Sequence, residues 1–413
     1  MNILTANAKH KTLILTLLCL GWTLNTLDRI AINVAIIPIS KELSLTETQA
    51  GFIMSSFFLS RAIMQPIGGS LADRFGSRKV IISSIVAWSL LTIFTGAAWS
   101  LLSLIAIRFL CGIGEGSYPS ASSVSLAESF PHQERARAKS TLTAVVTLGG
   151  VIGTLVVASL SSFFGWQIMF VILGIVGLLL APLYGKYFHP VGQQSAQKQS
   201  YSDKMSLKQV FKHPIMWKII IIYFGISVVS WGAASWMPSY MVKVRHLDLV
   251  TMGALSSIPA ILAFLTMLAT GWLLDKKMAG REKYFIVFGS LVGVISMYLL
   301  TIASSVAYVV MYESLANIGI ACALTTTVII PLKYIDSASI GTASGMMYLG
   351  GSLAGVIAPT VMGFLIQQFN GSYNAGFCFL IASLLVSLLV GMTLRIHPVT
   401  IHTPGSKLQI GKV

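Results

Sequence analysis

GSLADRFGSRK (residues 69–79) closes one long apolar run, and GWLLDKKMAGR (271–281) closes another; Asp73 in the first and Asp275 in the second stand 202 residues apart. GGVIG (149–153) finds an echo in GGSLAG (350–355) at almost the same distance, 201 residues on. The chain therefore reads as two copies of one unit. The short charged segments read as turns between hydrophobic helices.

Composition supports that reading. The chain has 413 residues, 55% apolar and only 10% charged, where a soluble domain carries about 25% charged residues. A soluble fold of this length would have too little polar surface to cover itself, and a bilayer removes the need. Twelve runs reach the roughly 20 residues that cross a bilayer: 12–38, 47–72, 80–98, 101–127, 139–163, 166–188, 214–242, 250–274, 283–303, 306–332, 339–368 and 374–396. The long polar gap between them, PVGQQSAQKQS and its lysine-rich continuation, lies within 189–213. The expected organisation is a six-helix bundle over 1–188, a linker over 189–213, and a second six-helix bundle with a short tail over 214–413.

The 28 Lys and Arg give a net charge of +15. A basic face with interleaved aromatics, as nucleic-acid binding needs, is missing, so no nucleic-acid partner is expected. Instead 22 of these residues fall in alternate loops and at both chain ends, against Lys41, Lys243 and Arg245 in the other loops. The excess of positive charge marks the cytoplasmic side, so both termini are expected in the cytoplasm and the chain in the inner membrane. Lys9, His10 and Lys11 precede an apolar stretch, but a small-residue cleavage site is lacking and Asp28-Arg29 interrupts it. It is read as a retained first helix and not a signal peptide.

Cys19, Cys111, Cys322 and Cys378 fall inside apolar runs without metal-ligand spacing, which predicts buried thiols, no disulfide and no metal. Gly112, Gly114 and Gly116 have no preceding strand, so they predict close helix packing and not a nucleotide fingerprint. A phosphate-binding G-x-x-x-x-G-K-S/T is absent as well. The chain is expected to be neither an enzyme nor ATP-driven, to need no cofactor and to act as a monomer.

GSLADRFGSRK matches without a miss the loop signature G-x-x-x-D-R/K-x-G-x-R/K-R/K of the major facilitator superfamily, which the chain resembles over about 12–396. That resemblance implies the all-α fold of twelve transmembrane helices in two parallel-repeat bundles. It also implies that Asp73, Arg74, Arg78 and Asp275 gate one face, with Arg135 and Arg137 of ESFPHQERARA (128–138) as partners for Asp73. LDRIAINVAI (27–36), IRFLCGIGEGSYPS (107–120), SWMPSYMVKV (235–244) with SSIPAILAFLTMLATGWLLD (256–275), and GTASGMMYLGGSLAGVIAPTVMGFLI (341–366) further resemble the anion:cation symporter branch, which includes sugar-acid carriers.

Charge within a span costs at least about 2.5 kcal/mol on insertion scales. Asp28, Arg29, Arg61, Arg108, Glu115 and Glu313 all stand inside runs. Asp28 lies about 22 Å along the first run at 1.5 Å per residue, and Arg61 and Glu115 reach the same level in the second and fourth. Arg29 is the expected anion anchor, since a guanidinium stays charged and grips a carboxylate with two hydrogen bonds. Neighbours on a helix diverge by about 100°, so Asp28 and Arg29 should meet different partners. Glu115 is the expected proton carrier and Asp28 the second; a carboxyl in apolar surroundings holds a proton more readily than in water. The branch resemblance carries substrate binding onto Arg29 and proton coupling onto Asp28 and Glu115.

Arg108, two turns before Glu115, is a further expected substrate contact, with outer-half charge balance as its alternative. Arg61 stands where the branch usually has an aromatic or apolar residue. It reads either as a second anion anchor or as internally neutralised by Asp28 or Glu115. Tyr223 and Trp231 offer aromatic faces to a substrate, with a membrane-interface belt as the alternative for Trp231 and Trp236. Tyr348 and Ser352 replace asparagines common in the branch, and Tyr348 is expected in the pocket. Glu313, about seven residues into the tenth run, is expected to be structural. The sequence thus predicts proton-coupled uptake of a small organic anion, a carboxylate or sugar acid, by alternating access. The alternative is a proton-driven exporter of drugs or siderophore-like metabolites, weakened because TLGGVIGTLVVAS (147–159) lacks the proline of the usual exporter motif in the fifth helix.

Overall fold

The computed structural model describes residues 2–130, 132–188, 214–276, 278, 280–334 and 340–394; the linker 189–213 and the side chains of Asp73, Arg135, Arg137 and Asp275 lie outside this description. Twelve helices follow one another: α1 (Asn2–Glu42), α2 (Glu47–Phe75), α3 (Ser77–Gly96), α4 (Leu101–Gly116), α5 (Tyr118–Ser129), α6 (His132–Tyr187), α7 (Pro214–Lys243), α8 (Leu249–Lys276), α9 (Glu282–Thr301), α10 (Val306–Tyr334), α11 (Ile340–Gln368) and α12 (Tyr373–Met392). They make twelve crossings, though not one for one. The fourth crossing is split into α4 and α5 at Ser117, because Pro119 in the first turn of α5 has no N–H to continue the ladder. The fifth and sixth share α6 and part at Gly165, whose φ of 82° and ψ of 159° are non-helical. Ten stretches among the described residues are apolar enough to cross a bilayer on a strict count; α2, which carries Arg61, is not among them.

Local chemistry sets the ends. At the start of α2, Gln49 N–H donates to Thr46 Oγ1 at 3.3 Å and Thr46 N–H donates to Gln49 Oε1 at 2.9 Å, a reciprocal cap. Gly76 is the single residue between α2 and α3, at φ 87°. A Cβ added there would meet nothing within 4 Å, so it is the left-handed backbone that asks for glycine. Arg78 then donates to the carbonyl of Gly185 in α6, Ser77 donates to Glu128 at the end of α5, and Arg74 lies over the Phe75 ring. The glycines of GIGEG pack as their spacing predicts. A Cβ on Gly116 would stand 2.8 Å from that of Met64 in α2, and one on Gly114 would stand 3.1 Å from Trp88 N in α3.

The face bearing the α1–α2 and α3–α4 turns and Gly165 is the distal face, opposite the described chain ends. There the first six crossings close onto the last six. A Cβ on Gly51 of α2 would stand 2.6 Å from the Pro359 carbonyl of α11. Thr360 donates to Ser55 Oγ at 2.8 Å, and Lys243 pairs with Glu47 at 2.8 Å. Gly253 of α8 fits against Ala158 of α6. Trp236, fully buried, donates to the Pro359 carbonyl at 3.0 Å and so belongs to this seam, not to an interface belt. Among the described residues no comparable packing joins α5 to α10 or α11 at the proximal face. The four cysteines are free, but Cys19 is half-buried and Cys378 is exposed on α12, where their apolar runs had suggested burial: these positions turn away from the neighbouring helices.

Candidate functional site

Three helices of the first half bring charge to one level. Asp28 of α1 accepts from Arg108 Nη1 of α4 at 3.0 Å and from Thr92 Oγ1 of α3 at 2.8 Å. Arg108 is 0% exposed and Asp28 4%. This is a sealed, aligned, hydrogen-bonded pair, and the charge-assisted bond is of the stronger kind.

Arg61 of α2 stands 3.2 Å from Glu115 Oε1 of α4. Among the described residues neither Glu115 oxygen has a hydrogen-bond partner of adequate alignment. The contact is therefore a Coulombic one held by proximity, and it is looser than the Asp28–Arg108 pair. Between the two pairs lies Phe57, one turn before Arg61. Its ring centroid is 4.9 Å from the Arg108 Cζ and 5.8 Å from that of Arg61. The aromatic face offers both guanidinium groups cation–π attraction in place of water.

Arg29 differs from both. Among the described residues no carboxylate lies within 4.0 Å of it. Its guanidinium reaches Thr26 Oγ1 at 3.5 Å and lies 5.8 Å from the Trp231 ring centroid of α7. Trp231 leans on Phe58 of α2 at 4.7 Å, so the Arg29–Trp231 contact bridges the two halves of the chain. Asp28 and Arg29, adjacent in sequence, thus point to different helices. On the side of the second half, Tyr223 and Tyr348 meet edge to face at 5.8 Å, with Tyr348 46% exposed. A side chain at Gly351 would strike the Tyr223 ring, so glycine there is what lets α7 and α11 approach behind the aromatic pair.

The structure therefore brings Arg29, Trp231, Arg61 and Glu115 together around the seam, and sets Arg108 behind Asp28, away from solvent. Sequence reading missed Thr92, Phe57 and Phe58. The i, i+4 spacing of Phe57 and Arg61 could have pointed to the first of those rings; Thr92 left no signal. Among the described residues no cluster of His, Cys, Asp or Glu could hold a metal ion.

Comparisons with known proteins agree with this architecture. The chain is 28% identical to a hexuronate transporter of Bacillus subtilis over 385 residues, covering 90% of this chain and 91% of that one. It is 30% identical to a probable sulfoacetate transporter of Cupriavidus necator, covering 97% of each. A crystal structure of a bacterial homologue of the human lysosomal transporter Spinster, in an inward-facing and occupied conformation, shares the fold with a TM-score of 0.80 at 20% identity, over 93% of this chain and 96% of that one. The family model of the Major Facilitator Superfamily matches residues 18–359. A helical, multi-crossing chain with this loop signature, this internal repeat and these relatives is a membrane transporter, and it belongs to the Major Facilitator Superfamily.

Proposed function

We propose that the protein takes up a small organic anion, a carboxylate or sugar acid, together with protons, across the inner membrane with both termini in the cytoplasm. The observation that carries this is Arg29: a cation at mid-membrane depth with no carboxylate within 4.0 Å among the described residues, while its neighbours Arg61 and Arg108 each have one. An intramembrane guanidinium that the protein does not neutralise calls for an anion from outside the chain. The named substrates of the relatives, hexuronate, sulfoacetate and galactarate or D-glucarate, are anions that a guanidinium fork can hold.

The anion meets Arg29 over the Trp231 face, with Tyr223 and Tyr348 on the side of the second half. Proton transfer to Glu115 removes the partner of Arg61 and frees a second guanidinium for the same anion. Proton and anion thereby support each other's binding without touching, which is coupling in the thermodynamic sense. Asp28, held by Arg108 and Thr92, keeps α1, α3 and α4 in one arrangement and is the second coupling carboxylate. With the distal face on the outside, the closed seam makes this conformation the inward-facing one. Asp73, Arg74, Arg78, Arg135, Arg137 and Asp275 act at the other gate, and the monomer is the working unit. The two six-helix bundles, joined through 189–213, rock about the Arg29–Trp231 contact.

Proteoliposome uptake driven by an inward proton gradient tests this. Accumulation should appear for one of a panel of hexuronates, aldonates, aldarates and sulfonates and collapse when the gradient is dissipated. Gradient-driven efflux of substrate from loaded vesicles would sink the uptake reading in favour of export.

A further inference from the structure

A third intramembrane carboxylate stands apart from Asp28, Glu115 and the cluster around Arg29. Glu313 of α10 lies seven residues after Val306, about 10 Å from the distal end of the helix at 1.5 Å per residue. It lines a cavity of about 340 Å³ that also exposes Asn33 of α1, Thr154 of α6, Ser230 of α7, Ser256 of α8 and Asn317 of α10. The walls come from both halves of the chain, so this cavity is part of the distal seam. Every other residue lining it is uncharged. The nearest cation along α1, Arg29, is turned to Trp231. Among the described residues Glu313 Oε2 is sealed from solvent without a hydrogen-bond partner, and no cation lies within 4.0 Å of the carboxylate. The amide of Asn317 is spent on the Glu313 backbone carbonyl at 3.0 Å and does not reach the carboxyl.

An ionised carboxylate without a counter-charge or donors is among the costliest groups to bury, and such a group neutralises instead. The cavity's walls are mostly apolar, but at this size, with Asn33, Thr154, Ser230, Ser256 and Asn317 on them, it has room and hydrogen-bond partners for the water that would deliver a proton. Opening the seam between α6 and α8 would expose Glu313 to the distal solution, where the ionised form is solvated.

We propose that Glu313 is a proton-binding site of the second half, loaded from the distal side and occupied whenever the distal seam is closed. The proton moves from distal water to a Glu313 carboxylate oxygen as the seam shuts and returns by the same route when it opens. It is not released to the proximal side with the substrate. Glu313 thus makes distal closure sensitive to distal acidity, in addition to the coupling assigned to Glu115. Its place in the cycle rests on the proton-driven reading; its protonation does not.

Infrared difference spectra of the full chain in lipid test the proposal. At neutral pH, wild type minus E313Q should show the carbonyl stretch of a buried, protonated carboxylic acid. The same band should be lost between E115Q and E115Q/E313Q, so that failure of the Glu115 assignment would leave this result untouched. No such band in either pair overturns the proposal. A band that vanishes when sodium replaces potassium at constant pH overturns it too, because the occupant is then a metal ion. E313Q is the neutral shape-mimic and should fold, with thermal stability that no longer falls at alkaline pH. E313Q that fails to assemble while E313D, still ionisable, assembles would overturn a neutral occupant.

Discussion

Arg61 and Glu115 face each other across α2 and α4 at 3.2 Å, but no aligned hydrogen bond holds them, and the Glu115 oxygens are otherwise unpartnered. Such a pair is kept by charge alone, so removing the charge from either side should part it, at the stability cost of leaving the other charge buried without its partner. Glu115→Gln leaves Arg61 permanently available to the anion. Gradient-driven accumulation should be abolished, while exchange of internal for external substrate persists within a few-fold of wild type. Accumulation by E115Q at the wild-type level would show that the coupling proton sits elsewhere.

Arg29 carries the anion in this scheme. Arg29→Ala should cost about 2–5 kcal/mol of binding, at least roughly 30-fold in affinity. Arg29→Lys keeps the charge but loses the planar fork and its stacking on Trp231, so it should fall between the two. Substrate-dependent thermal shift on purified protein reads both; equal shifts in wild type and R29A would remove Arg29 from the site.

The Asp28–Arg108 pair makes a different claim, about stability. Asp28→Asn leaves a buried guanidinium uncompensated and should destabilise the protein by about 3–5 kcal/mol. Asp28→Asn with Arg108→Met removes both charges and should recover most of the loss in thermal unfolding, though not transport. A D28N variant as stable as wild type would mean that the pair is not sealed in the membrane.

At the distal seam, helix approach depends on the absence of a side chain. Gly51→Leu places atoms against the Pro359 carbonyl, 2.6 Å from the position of a Cβ. The halves should be forced apart there, and labelling of a cysteine at Ser55 by an impermeant thiol reagent should rise several-fold over the Gly51 parent, both in a background without native cysteines. Unchanged labelling would place the pivot away from α2 and α11.

What the sequence disclosed and what it hid divide along physical lines. The loop signature around Gly76, the 202-residue repeat and the runs of apolar residues are local or periodic facts, and they carried the twelve crossings. The divergence of Asp28 and Arg29 is helix geometry, equally local. Spacing within α4 invited a relation between Arg108 and Glu115, whereas each found its partner on another helix: Asp28 on α1 and Arg61 on α2. Pairing across helices depends on rotation about each axis, which a single sequence does not encode in any short pattern. Glu313 is the sharpest example. It reads as an unremarkable shallow acid until α1, α6, α7 and α8 wall it in. The single-residue turn at Gly165 was foreshadowed by the short gap in the apolar run, whereas the break at Ser117 left only Pro119 as its signal, inside one unbroken apolar run, where a proline reads equally as a kink.

The uncompensated guanidinium of Arg29 has an electrical consequence. A substrate of one negative charge arriving with one proton on Glu115 leaves the site's charge as it was, so the empty carrier, like the loaded one, must swing a positive charge through part of the membrane field. That field is worth about 2.3 kcal/mol per elementary charge per 100 mV across the full bilayer. An interior-negative voltage therefore retards the empty molecule as it turns back outward. Polarised vesicles should slow this return leg in net uptake and the outward swing of the loaded form in exchange alike, while a turnover that brings in one proton with each monoanion moves no net charge.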